Sequence, residues 1–172
     1  MEKILTIENK KDEAFLRRKA ADFDFKAVSK KEIADLIILM RRMMREAHGI
    51  GLSANQAGRS FRMFVAEIDD EKNKGKKFYA VFNPEIREMS KEKRAIEEGC
   101  LSVPGLYGDV ERPERILLIG QDKNGKPFKM KAWGLLARVF QHEVDHLNGT
   151  LFTDKAKNLQ KVSPEEKKVG RK

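Results

Sequence analysis

The sequence predicts an α+β fold: mostly antiparallel sheets packed around a central helix, with a second helix on the N-terminal side. Three observations lead there. Residues 132–147 repeat apolar side chains on most sides of a helix: Trp133, Leu135, Leu136, Val139, Phe140, Val144 and Leu147. A helix wet on only one strip is a central one. Residues 115–121 and 126–131 read as strands flanking Asn124-Gly125, a strong hairpin signal. A well-signalled amphipathic helix begins at Ser29.

In chain order, residues 1–28 are polar and mixed in charge, with a short helix expected over 14–21. Ser29-Lys30-Lys31-Glu32 is a capping box, with Val28 and Ile33 as its hydrophobic staple. Ile33, Leu36, Ile37, Met40 and Met44 then recur at helical spacing and mark a buried face. Gly49 is placed to end that helix. Residues 61–68 alternate as a strand, and 69–77 form a charged loop. Residues 78–82 form a second strand, closed by Asn83-Pro84. Residues 87–94 read as a loop, 96–103 surround Cys100, and Pro104-Gly105 turns the chain. Gly149 ends the central helix. Beyond Lys155 the apolar pattern thins, so residues 1–156 are expected to form one domain and 157–172 a basic, disordered tail.

The chain has 172 residues, 40% hydrophobic and 37% charged, with a net charge of +9. That length can bury its own core. No apolar run approaches the roughly 20 residues of a membrane span, and the N-terminus does not read as a signal peptide. A single cysteine, Cys100, excludes an internal disulfide and fits a reducing cytoplasm. From residue 155 onward seven Lys/Arg face two Glu, so more than half of the net charge sits in that tail. A solvated tail is the simpler reading; an electrostatic handle for an RNA-rich surface is the functional one. No basic stripe interleaved with aromatics marks a reader of specific DNA.

The chemistry centres on Gln141-His142-Glu143-Val144-Asp145-His146. In a helix, His142 and His146 lie one turn apart on one face and can grip one metal ion, while Glu143 reaches a water beside it. Inside the most hydrophobic helix of the chain, unpaired imidazoles would be costly. A catalytic site keeps three protein ligands and one open position. A metalloprotease with a third histidine would carry it at position 152, which is Phe152; one with a downstream Glu ligand has only Glu165 and Glu166. The third ligand therefore falls to Cys100 or His48. His48 already suits a helix C-terminus, and the glycine-flanked Cys100 is preferred. Gly49-Ile50-Gly51-Leu52-Ser53-Ala54 has the spacing of a dinucleotide fingerprint. A helix precedes it and a strand follows, the reverse of what that site needs, so it is rejected.

Gly49-Ile50-Gly51-Leu52-Ser53-Ala54-Asn55-Gln56, Glu98-Gly99-Cys100-Leu101-Ser102 and Gln141-His142-Glu143-Val144-Asp145-His146, in that order, resemble the three motifs of the peptide deformylases. Two departures stand out. Ser53 replaces a usual alanine, and a proline-containing segment usual after the first strand is missing around Ile7. The resemblance implies hydrolysis of the formyl group from the formyl-methionine of nascent polypeptides. It implies that Cys100, His142 and His146 hold one divalent ion, usually Fe2+, with Zn2+, Ni2+ or Co2+ as substitutes. Glu143 would move the proton, and the Gln56 amide and the Leu101 backbone N–H would receive the oxyanion. Ile50, Gly51 and Gly99 would lie along the peptide, with Arg112 near its far end. Ile50, Ile96, Leu135 and Val139 would line the methionine pocket. The rival readings are a catalytically degenerate metal-binding homologue that recognises N-termini or ribosomes, and a zinc endopeptidase.

Overall fold

A computed structural model describes residues 2–70 and 74–162. The architecture is α+β, as expected. Helix α1 spans Lys10–Leu16 and α2 spans Lys30–Glu46; eight strands follow, with α3, Gly134–Leu147, entering before the last. Strands β1 (Gly51–Ser53), β2 (Met63–Asp70), β3 (Gly75–Met89), β6 (Arg115–Gln121) and β7 (Pro127–Trp133) form an antiparallel sheet in the order β1-β2-β3-β6-β7. Strands β4 (Lys93–Cys100), β5 (Val103–Pro113) and β8 (Lys157–Lys161) form a second sheet in the order β4-β5-β8.

Strand β2 shows how the core is divided. Successive side chains of a strand point to opposite faces. Phe64 and Ala66 pack with Phe140, Val144 and Leu147 of α3. Met63 and Val65 pack with Met40, Met43 and Met44 of α2. The larger sheet is thus covered by a helix on each face, which is why residues 63–66 read as an unbroken apolar run. Burying a side chain such as Phe140 contributes roughly 2–3 kcal/mol. A third cluster, Val103, Val110, Leu151 and Phe152, closes the smaller sheet.

The capping box of α2 forms as its sequence says: Ser29 N–H donates to Glu32 Oε2 at 2.8 Å, and Glu32 N–H donates to Ser29 Oγ at 3.2 Å. Its far end differs from expectation. His48, not Gly49, takes the left-handed position, at φ 56°. His48 N–H donates to Arg45 O and Gly49 N–H to Met44 O, the paired bonds of a Schellman ending. Gly49 serves a different need, since a Cβ there would lie 2.7 Å from Leu101 Cδ1. Helix α3 ends the same way with Gly149, at φ 77°, in the left-handed place. Glu67 of β2 fastens α2 to the sheet. The hydrogen bond from Arg45, helped by Arg41, outweighs burial and holds its carboxyl at about 2. Its backbone N–H donates to Ile50 O and fixes the segment leading into β1.

Other boundaries shift for tertiary reasons. The first helix lies at Lys10–Leu16 rather than 14–21. Asn9 caps it, and Ala20 and Ala21 spend their backbone N–H groups on Leu147 O and Ser60 O. Strand β3 runs through Asn83-Pro84 instead of stopping there. Asn83 adopts φ 46° at a register shift, and its side chain ties Phe23 to Gln121. The 87–94 loop shrinks to the few residues between β3 and β4. Pro104-Gly105 lies inside β5, and the chain turns instead at Leu101-Ser102. Ala132 and Trp133 belong to β7, paired with Ile116 and Arg115, so α3 begins only at Gly134. Residues 157–161 form β8 on the edge of β5, where a tail was expected; positions 163–172 lie outside the described residues. Among the described residues, no helix is long and apolar enough to cross a membrane.

Candidate metal centre

Four segments converge at one cavity: the C-terminal half of α3, the last residues of β4, β1, and the 3-10 turn Ala54–Ala57 behind it. On α3 the two imidazoles meet as their spacing requires, with His142 Nε2 3.2 Å from His146 Nε2. Cys100 closes β4 at an irregularity where pairing jumps from Gly99↔Tyr107 to Cys100↔Val103. Such a bulge re-aims a side chain. The Cys100 Sγ lies 3.1 Å from His146 Nε2, and the three ligand atoms of Cys100, His142 and His146 all lie within 4.8 Å of one another. His48 sits exposed at the cavity rim and is not part of this cluster. Burial alone would raise the Cys100 thiol; the His146 and His142 imidazoles outweigh it and hold the thiol well below its usual range. A half-buried thiolate facing two imidazole nitrogens is a donor set for one borderline divalent cation.

The ligands are held from behind. His142 Nδ1 lies 3.1 Å from Glu98 Oε2, which leaves Nε2 to face the cluster. Glu98 is buried, yet its carboxyl is held at about 2: burial pushes it up, and His142 and Arg112 pull it down further. Arg112 binds it twice, Nε to Oε1 at 2.6 Å and Nη2 to Oε2 at 2.9 Å, and Arg138 Nη1 adds a contact to Oε1 at 2.5 Å. His146 is positioned through the backbone, its carbonyl accepting from Asn55 Nδ2 at 2.6 Å. Arg62 donates to Leu147 O and to Asn148 Oδ1 in the turn that follows.

Arg112 is thereby put to a different use from the one expected. It borders the cavity, but it is only 3% exposed and its guanidinium is committed to Glu98 and to Asp145 Oδ2, at 2.7 Å. A buried guanidinium is kept by carboxylates that satisfy it, and reaching for a substrate would strand both of them.

Glu143 stands beside the cluster, 3% exposed, with Oε2 lacking any hydrogen-bond partner among the described residues. Burial pushes its carboxyl upward from the ordinary range. Gly51 makes room for it, since a Cβ at 51 would run into Glu143 Oε1. Gln56 faces the same space from the other side. Its Oε1 accepts from Ser53 N–H and from the Ser53 hydroxyl, both at 2.9 Å, and its Nε2 donates to Ser102 Oγ at 3.1 Å.

The cavity has a volume of about 630 Å³. Ile50, Gly51, Ile96, Gly99, Leu135 and Val139 all border it, with Leu101 and Gln56. Ile50, Ile96 and Leu135 are exposed apolar side chains, and here they share one concave wall. Sequence reasoning assigned no role to Glu98, Arg138, Asn55 or Ser53. The signal available was Arg138 and Gln141 inside an otherwise apolar helix, since a buried charge must find a partner.

A sequence model described as polypeptide deformylase matches residues 1–162. The chain is similar to peptide deformylase 2 of Gloeobacter violaceus, 44% identical over 134 residues, covering 78% of this chain and 71% of that one. It superimposes on the crystal structure of a probable peptide deformylase from Synechococcus phage S-SSM7 with a TM-score of 0.80 at 42% identity, covering 90% and 99% of the two chains. It also superimposes on a Met-Ala-Ser-bound class I type b peptide deformylase from Acinetobacter baumannii, with a TM-score of 0.79 at 31% identity, covering 88% and 96%.

Proposed function

The chain belongs to the polypeptide deformylase family, and from that premise we propose how its own residues remove the N-formyl group from the formyl-methionine of new polypeptides. The observation that carries the proposal is the meeting of Cys100, His142 and His146 beside an unpartnered Glu143 oxygen and the Gln56 amide.

Cys100, His142 and His146 would hold the ion. When bound, it supplies Lewis acidity to the formyl carbonyl and to the attacking water. Glu143 Oε2 takes the proton of that water and passes it to the departing amine; a carboxyl raised by burial suits both transfers. The Gln56 Nε2–H and the Leu101 backbone N–H receive the negative charge that develops on the formyl oxygen. Ile50, Gly51 and Gly99 flank the peptide backbone, and Ile50, Ile96, Leu135 and Val139 take the methionine side chain, supported by their common place on the cavity wall. The Acinetobacter relative, bound to Met-Ala-Ser, supports a methionine-led peptide as the product left after formate departs. A His₂Cys set suits several borderline metals; we assign Fe2+, with Zn2+, Ni2+ and Co2+ as substitutes. A thiolate ligand at such a site is open to oxidation, so handling in air is expected to lower activity.

The function is tested by formate release from formyl-Met-Ala-Ser with and without chelator. Release from the metal-loaded protein, abolished by chelator and restored by added metal, is the expected result. Cleavage of internal peptide bonds, or peptide binding with no formate, would overturn the assignment.

The same reading places the enzyme in the cytoplasm beside the ribosome, where formylated chains emerge. The exposed Lys157 and Lys161 of β8 support an electrostatic contact with ribosomal RNA. Deleting residues 157–172 is expected to weaken cosedimentation with ribosomes, more at low salt than at high salt; unchanged cosedimentation at both would remove the contact.

A further inference from the structure

We propose that the Ser53 hydroxyl is a positioning group for deformylation: it locks the Gln56 carboxamide so that one Nε2 hydrogen is reserved for the formyl oxygen. The proposal rests on the deformylase reading above and concerns a side chain to which that reading gives no role.

The argument is one of donors and acceptors. A carboxamide has two lone pairs on oxygen and two hydrogens on nitrogen. Both lone pairs of Gln56 Oε1 are taken within one residue, by the Ser53 backbone N–H and the Ser53 hydroxyl, each at 2.9 Å. One Nε2 hydrogen goes to Ser102 Oγ at 3.1 Å. The other faces Cys100 Sγ across 3.6 Å, on the side of the ligand cluster. Three of the four capacities are met by short hydrogen bonds within the protein; the fourth makes only a long one, to Cys100 Sγ, on the side where the formyl oxygen would sit. Ser53 and Gln56 are 0% and 2% exposed, so no bulk water competes for these positions.

A single donor on Oε1 would leave the carboxamide free to pivot about that bond. Two donors from one residue set its plane. They also oppose a flip, which would bring the NH₂ group against the Ser53 backbone N–H. Donation to the carbonyl oxygen further polarises the amide and makes its remaining N–H a stronger donor. The support beneath is rigid: Ser53 ends β1, in register with Phe64 of β2, so the hydroxyl is carried on a strand and not on a mobile loop.

The experiment uses the full-length, metal-loaded protein and formyl-Met-Ala-Ser. Ser53→Ala is expected to lower kcat about five-fold, the effect of losing one buried hydrogen bond to a group that acts in the transition state. KM, metal stoichiometry and the Kd for Met-Ala-Ser are expected to stay unchanged, because the product has no formyl oxygen to engage Gln56. Gln56→Ala is expected to lose more, and adding Ser53→Ala to it to lose nothing further. A wild-type kcat in Ser53→Ala overturns the proposal, and so do additive losses in the double variant. A displaced pH–rate profile in Ser53→Ala also overturns it, since the hydroxyl would then be acting on Glu143. Failure of the wild type to release formate would instead strike the deformylase reading itself.

Discussion

Replacing Glu143 with alanine is expected to leave one equivalent of metal in place and to lower kcat for formyl-Met-Ala-Ser by about 10³-fold, the range for a group that carries a proton in the transition state. Two features make the loss large. Glu143 is buried beside the ligand cluster, and its Oε2 has no hydrogen-bond partner among the described residues. In the proposed mechanism the same carboxyl serves twice, first toward water and then toward the leaving amine. The ligands do not depend on it, because His142 is oriented by Glu98 and His146 by Asn55. Metal content and turnover are therefore expected to separate, with formate release followed at saturating peptide and metal measured per chain. A fully active Glu143→Ala protein would sink the mechanism.

Removing the Cys100 thiol acts on the other half of the site. Cys100→Ala deletes one of three ligands and the only anionic one, so metal stoichiometry is expected to fall far below one, and activity with it. The fold is expected to survive. Cys100 sits at the end of β4, and Glu98, two residues earlier, keeps its ties to Arg112 and Arg138. Far-ultraviolet circular dichroism and metal analysis on the same sample distinguish loss of ligand from loss of structure. Retention of a full equivalent would show that Cys100 is not a ligand.

Elements whose signals are local were readable from residues alone. The capping box of α2, the Asn124-Gly125 hairpin, the glycine ending of α3 and the helical pair His142/His146 all act within a few positions of themselves. Cys100 could be proposed because the chemistry asked for a third ligand and left few candidates, and its Sγ does lie beside the two imidazoles. What escaped depends on partners distant in sequence. Strand β3 continues past Pro84 because Asn83 is held by Phe23 and Gln121. Helix α1 stops early because Ala20 and Ala21 are bound elsewhere. Strand β8 carries exposed side chains throughout, so no apolar alternation announces it; its order comes from the open edge of β5. Arg112 was placed on the substrate by resemblance, and the charges that claim it, Glu98 and Asp145, come from β4 and α3. Ser53 passed as a small residue in a small place because a hydroxyl's worth depends on what lies within 3 Å of it.

The division of the three ligands between two bodies bears on how the molecule matures. Cys100 belongs to the smaller sheet, whereas His142 and His146 ride on the helix packed against the larger one. Neither body alone offers more than two donor atoms, so a partly folded chain would hold an ion only weakly, and the full grip appears when the two dock. On the ligand set proposed above, ion loading is expected to follow the docking of the two: a chain whose halves have not met would stay inert, and one whose halves have met would be clasped by the ion it uses.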